Sequence, residues 1–536
     1  MNRPTGALRN RRSRKNLFLP RPGRSGRSGH NFKDMKKIFS YLVVGLLGSW
    51  LLLNGCRKID DSYYEGQEAM LEFSTDTLRF DTVFTQLGSA TRILKVYNPY
   101  KEPVLISRIY IPEGTSSKFR LNVDGVPGNE ITDVKIAAED SIYLFGEVTI
   151  DPDQPLSASP FIINDEILFE TNGNTQRVVL EAWGQNANYI PSRFNKGGVA
   201  LLSCDFAEVT WDDPKPYVIY GILVIDSCTL NLPPGARVYV HGGIARAYDE
   251  NEELIVYNDG LINVFPKGRL NALGTLEEPV IIQGDRLEEG FQETSGQWVG
   301  IRLAGKDNVF EHVTIKNSLI GVLVDSAAQL TMRHGQIYNT DGPGLIGRHG
   351  EIEAVNCLFY NNGDRSVQLG FGGDYDFSYC TLASYGVDAP ALSLSNGICY
   401  DLLCEEFDIY RLHANFRNSI VFGSRADEIV LSDFTGGQDP FSFVVGFDHC
   451  LVRVRDLLDP DDGGYPNFLF EQCNPCINAD FGDPIFVDPN EDDYHLDTLS
   501  IAEGQALPLP GIPLDLEGND RDPATPDIGC FEYQYQ

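Results

Sequence analysis

The chain has 536 residues, with 43 Lys and Arg against 76 Asp and Glu, for a formal net charge of −33. Residues 1–55 hold 12 Lys and Arg and one Asp, so the remainder carries −44. That balance argues against nucleic acid and anionic membrane surfaces as ligands, which need compensating cations, and it permits calcium, which takes carboxylate and carbonyl oxygens.

Residues 1–34 are rich in Arg and Gly, and the in-frame Met35 opens a better start, so this stretch reads as a mis-called start or a disordered basic extension. Met35-Lys-Lys-Ile38, an apolar run to Leu53 and then Asn54-Gly55-Cys56 resemble a bacterial lipoprotein signal over 35–55, in which Cys56 becomes lipidated. The apolar run approaches spanning length, which leaves a transmembrane anchor as the alternative. Lys58 followed by Asp60 and Asp61 resembles the signal that carries Bacteroidetes lipoproteins to the outer face. The resemblance implies a lipid-anchored, surface-exposed outer-membrane protein tethered through 56–68.

From 69 to 190, segments such as Ile93–Asn98, Val104–Ile111, Ile142–Ile150, Glu166–Asn172 and Arg177–Gly184 alternate with turn residues every ten to fifteen positions. That spacing predicts an immunoglobulin-like β-sandwich. The recurring Val-x-Asn, Thr-Asn and final x-Ala-x-Gly are similar to Hydin-like (ASH-type) immunoglobulin domains, which implies a spacer or presenting module. Asn186–Ser203 is expected to join it to the next domain.

The middle of the chain repeats itself. Taking Phe310, Met332, Ala354, Phe377, Phe416 and Phe447 as equivalent, the first three steps are of near-equal length and the fourth is longer. Each unit holds two short period-2 apolar alternations separated by Asn, Gly, Ser and Asp, so strands and turns are stacked as a solenoid over 200–470. A right-handed parallel β-helix fits, with Phe310, Ile315, Met332, Ile337, Phe359, Phe377, Leu382, Phe416, Val421, Phe447 and Val452 pointing inward. The fold class is therefore all-β: a sandwich followed by a pectate-lyase-like solenoid. Leu232-Pro-Pro-Gly235, Gly268-Arg-Leu-Asn-Ala272-Leu-Gly274-Thr275 and Trp298-Val-Gly300 resemble bacterial surface proteins with such a region. The segment 471–536, with Asp483-Pro-Ile-Phe486, Asp515-Leu-Glu-Gly518-Asn519-Asp-Arg521 and Pro526-Asp527-Ile-Gly529-Cys-Phe-Glu532-Tyr533, resembles the ending called choice-of-anchor Q, although Cys530 stands where a small residue is usual.

The longer step contains 396–410, which must leave the stack as a loop, and Cys399 and Cys404 within it are disulfide candidates in a loop without a core. Cys357, Cys380 and Cys450 share one repeat position with Val313, Gly335 and Ser419, the behaviour of small buried residues, and are read as free thiols. Cys473-Asn-Pro-Cys476 lacks the second pair a zinc site needs. His312, His334 and His449 align with Asn356, Tyr379 and Asn418; a polar turn ladder is favoured there over a shared metal. No metal site is assigned and no cofactor is expected, with calcium left open.

The catalytic sets of β-helix enzymes are not complete here. The paired Asp, Gly-His-Gly and Arg-x-Lys of polygalacturonases are absent, with Gly347-Arg348-His349-Gly350 the nearest match. Asp374-Tyr-Asp376 with Arg365 or Arg348 imitates a pectate lyase only loosely. No catalytic residue is assigned. Aromatic rings suit sugar faces and carboxylates accept hydroxyl hydrogen bonds, so Asp364, Asp374, Tyr375, Asp376, Tyr400 and Tyr410 are the carbohydrate-binding candidates, on a surface narrowed by the 396–410 insertion. The leading reading is a non-catalytic cell-envelope lipoprotein whose β-helix binds a glycan or envelope component. A polysaccharide lyase or glycoside hydrolase acting on acidic glycans, and a structural or adhesive surface protein, are the alternatives.

Overall fold

A computed structural model describes residues 62–84, 91–149, 161–190, 198–204, 207–248, 254–287, 291–401, 404–461 and 464–534. The signal segment and residues 56–61 of the 56–68 tether, Cys56 among them, lie outside these residues.

Two five-stranded sheets form the N-terminal part, one ordered 72–73, 92–97, 141–148, 119–123, 126–127 and the other 77–84, 174–185, 161–171, 104–110, 130–136. Alternation in the strands sends Leu94, Val96, Leu144, Ile167, Phe169, Val178 and Leu180 into one shared core, as the sandwich reading requires.

The rest is a parallel β-helix. Three parallel sheets of eleven, nine and nine strands make it up: nine coils contribute a strand to each in turn, and Cys450–Val452 and Cys476–Asn478 add to the first sheet alone. The solenoid starts earlier than expected: Asn188–Ile190 already pairs with Tyr217–Ile219 and Val199–Leu202 with Ile222–Ile225, so these parts of the stretch expected as a linker belong to the first coil. The repeat alignment holds residue for residue, since Phe310 pairs with Met332, Met332 with Ala354, Ala354 with Phe377, Phe377 with Phe416 and Phe416 with Phe447. All eleven expected inward residues are buried. Phe377, Phe416 and Phe447 stack at 5.0 and 4.9 Å between ring centroids.

Tight corners explain the polar ladder. His312, His334, Asn356, Tyr379, Asn418 and His449 turn the chain from the third sheet into the first, all with φ between 44° and 52°. Asn and His tolerate this left-handed conformation better than most residues, whereas a bulky Tyr there must be held by other contacts. Asn317, Asn339 and Asn361, φ 66°, 56° and 49°, repeat the device where the first sheet ends.

The C-terminal segment lies along the outer face of the eleven-stranded sheet. Outward Leu358, Tyr360, Ala383, Ile420, Phe422 and Leu451 are covered by Ile485, Phe486, Tyr494, Leu496, Leu516, Ile528 and Phe531. Arg521 locks it in place: its Nη1 lies 3.2 Å from Glu532 Oε2, its Nη2 donates to Asn356 Oδ1 at 2.9 Å, and its guanidinium sits 3.9 Å from the Tyr379 ring. Burial raises the Glu532 carboxyl, against the backbone N–H groups of Asp522 and Asp527 and, less strongly, the Arg521 guanidinium. Cys530 is fully buried, with its N–H donating to Thr381 Oγ1 at 3.1 Å.

Candidate functional site

Period-2 alternation fixes what the third sheet shows to the outside. Along the strand Gly373–Ser378, residues 374, 376 and 378 face outward and Tyr375 and Phe377 face the core. In-register pairing then builds rows across coils: Glu351 beside Asp374 and His413; Glu353 beside Asp376 and Asn415; Arg333, Val355, Ser378 and Arg417 in a third. The result is a polar face of four carboxylates with a guanidinium at each end.

A wall converts this face into a groove. Leu509-Pro-Gly-Ile-Pro-Leu514 stands over the third row and encloses a volume of about 560 Å³. The turn ladder holds the wall. Asn418 Nδ2 donates to Leu507 O at 2.7 Å, Tyr379 Oη to the same carbonyl at 2.8 Å, and Asn356 Nδ2 to Leu514 O at 2.8 Å. The bulky left-handed Tyr379 thus has its partner in the wall.

Inside the groove, Arg333 Nη2 donates to Glu353 at 2.7 Å and Gln329 Nε2 to Glu351 at 2.6 Å. Asp376 has looser partners, Asn415 Nδ2 donating to it at 3.3 Å and Arg417 at 4.0 Å. Asp374 lies 3.5 Å from Arg411 and 3.6 Å from His413. At the floor Ser378 is only 2% exposed, and its hydroxyl makes no hydrogen bond among the described residues. A side chain this buried whose hydroxyl reaches the groove without a protein partner is an unused donor and acceptor at a ligand's disposal.

Against known proteins, no family model and no curated protein matches the chain. Among solved structures, pectate lyase Pel9A is similar at 11% identity over 65% of this chain and 88% of that one, with a TM-score of 0.28. The catalytic unit of a GH87 α-1,3-glucanase from Streptomyces thermodiastaticus is similar at 11% identity over 68% and 80%, TM-score 0.24. A protein of unknown function from Porphyromonas gingivalis W83 is similar at 9% identity over 37% of this chain and 66% of that one, just under two thirds, TM-score 0.17. The strand pairing, not these likenesses, carries the fold and the site.

Of the six binding candidates, the groove contains Asp374 and Asp376. Tyr375 is a correction: between two outward carboxylates it must point inward, and it is 1% exposed, its hydroxyl donating to Gly372 O at 2.8 Å. Asp364 lies at a different corner, between first and second sheets, bound to Arg365 at 2.8 Å; neither can join Asp374. Tyr400 stands on the insertion, 58% exposed, donating to Asp408 at 2.8 Å. Tyr410 packs 4.7 Å from the His349 ring at the corner before the third sheet, outside the groove lining.

The insertion is a hairpin, Gly397–Cys399 against Phe407–Ile409, closed by a Cys399–Cys404 disulfide, with Phe407 5.9 Å from Phe434. It does not narrow the groove; 509–514 does. That segment was missed because its role depends on contacts with residues about 90 to 160 positions away. Cys204–Cys228 and Cys473–Cys476 are also joined, pairs the sequence left unassigned, while Cys357, Cys380 and Cys450 are buried free thiols.

Glu311, His312 and His334 bring three ligand-type atoms within 4.8 Å of one another. Their hydrogen bonding opposes a metal centre. Arg521 fixes the Asn356 oxygen, so the Asn356 amide N–H faces His334 Nε2 at 3.1 Å, and the ring proton sits on Nδ1, directed at Glu311 Oε1 2.9 Å away. A metal on Nδ1 would have to displace that proton. The His312 and His334 rings also stack parallel, 4.5 Å apart and 7° from coplanar, so their lone pairs do not converge. Burial and the neighbouring His334 push the His312 pKa down.

Proposed function

We propose that this chain is a cell-envelope glycan-binding protein whose ligand lies along the groove between the third sheet and the 509–514 wall. The unpartnered Ser378 hydroxyl at the groove floor carries the reading, because a sugar hydroxyl can give and accept where nothing in the protein does. Asp374 and Asp376 extend the same row of outward side chains, and Leu509, Ile512 and Leu514 offer apolar area to a ring face. The lipobox-like 35–56 segment supports attachment through a lipid at Cys56, with the sandwich holding the solenoid off the membrane. Screening the full chain on a glycan array tests this. Binding weakened by Ser378→Trp, which fills the groove, is expected; binding indifferent to that change sinks the location.

Glu353 and Asp376 support a second, catalytic reading. They are register neighbours on adjacent strands, with backbones about 4.8 Å apart, and a pair of carboxyls close together is the residue set that glycoside hydrolysis draws on. Release of reducing ends or unsaturated uronates that disappears in Asp376→Asn would install that reading in place of binding alone.

A further inference from the structure

The groove's charge pattern specifies its ligand further than "glycan". Glu351 stands directly beside Asp374, and Glu353 directly beside Asp376. Like charges opposed on neighbouring strands repel and cost stability. Only two guanidiniums line the groove with these four carboxylates, and Arg333 is committed to Glu353 at 2.7 Å. Arg417 reaches Asp376 only at 4.0 Å, Asn415 Nδ2 donates to Asp376 Oδ1 at 3.3 Å, and the rim groups Arg411 and His413 approach Asp374 at 3.5 and 3.6 Å. Asp374 and Asp376 therefore remain open to a cation: their side chains are 63% and 49% exposed. Ser378, two positions along the same outward strand, supplies the independent sign of a ligand, a side chain 2% exposed that lines the groove and whose hydroxyl has no partner among the described residues.

Resting on the glycan reading above, we propose that the groove selects amine-bearing sugars, with Asp374 and Asp376 holding the ammonium and Ser378 a neighbouring hydroxyl. An ammonium relieves both repulsive pairs and places three donors among carboxylates that need them. A uronate adds a negative charge to a groove already in surplus, within a chain of −33. A calcium ion is the competing cation. It needs six or more oxygens converging on one point, and among the described residues no three carboxylates of this groove bring ligand atoms within 4.8 Å of one another.

Calorimetry on the full chain at mildly acidic pH decides the matter with ligands sharing one backbone: a fully deacetylated chitosan hexamer and the N-acetylated chitin hexamer, beside hexagalacturonate and calcium chloride alone. The deacetylated hexamer should bind at least roughly tenfold tighter than the acetylated one, with added salt eroding the difference. Asp374→Asn and Asp376→Asn should remove that preference, while Asp459→Asn, on a distant turn, should leave it; thermal unfolding confirms that each variant folds. Equal binding of both hexamers, or preference for hexagalacturonate, overturns the amine proposal and leaves glycan binding standing. Amine preference unchanged in both Asp variants marks general attraction to an acidic surface and overturns it too. Calcium binding lost in Asp374→Asn would hand the carboxylates to a metal. No binding of any hexamer sinks the amine proposal alone if the glycan array is positive, and both readings if it is blank. The wild-type comparison decides even if a variant fails to fold.

Discussion

At the scale of single residues, the repeat position held by His312, His334, Asn356, Tyr379, Asn418 and His449 combines two roles. Each must accept a left-handed turn, and those beside the C-terminal segment also donate to its backbone. Glu428 shows a different compromise. It is fully buried, accepts N–H groups of Ala391 at 2.9 Å and Arg425 at 2.6 Å, and burial pushes its carboxyl up to about 7 against that hydrogen bonding. A carboxyl with a higher pKa folded than unfolded binds more protons in the native state. Its contribution to stability is thus complete below its ordinary 4.5 and is lost as pH rises through about 7. A shift of this size corresponds to about 3 kcal/mol. Urea unfolding at about pH 5 and about pH 8 should show a loss with rising pH that shrinks in Glu428→Gln; an equally steep loss in the variant would assign the pH dependence elsewhere.

At the scale of elements, the solenoid derives its order from stacking like on like. The Phe377–Phe416–Phe447 column leaves little room to relax, since Phe377 and Phe416 lie between coils and Phe468 packs 5.4 Å from Phe447 at the end of the stack. Phe377→Ala should therefore cost ~3–5 kcal/mol in chemical unfolding. A cost below about 1 kcal/mol would mean the column is not close-packed. The hairpin at 396–410 shows the opposite case, a short element with little core of its own, closed by Cys399–Cys404 and resting on Phe434.

At the scale of the whole molecule, the parts follow one another as lipobox-like segment, sandwich, solenoid and returning C-terminal segment. The return crosses the outer face of the eleven-stranded sheet and ends with Arg521 and Glu532 buried together, side chains 2% and 7% exposed. A buried pair of this kind is costly to break from one side, which accounts for the Asp, Arg and Glu of the ending as packing groups. Membrane attachment is testable at this scale. Cys56→Ser, or globomycin treatment, should block maturation and membrane partition of the expressed chain, and a soluble, normally processed mutant would remove the lipid anchor.

The sequence alone determined the solenoid, its register and its inward column, because a period of 22 residues with period-2 alternation leaves a strand no other face to bury. It also placed Asp374 and Asp376 on an outward face, but the same alternation, applied one residue further, turns Tyr375 into the core. What only the tertiary structure decided is the groove. Its wall comes from 509–514, brought back against the turn ladder by hydrogen bonds to Asn356, Tyr379 and Asn418 and by the burial of Arg521. Local periodicity carries no information about where a non-repeating segment docks. That choice is made by complementarity between surfaces that exist only once the coils are stacked.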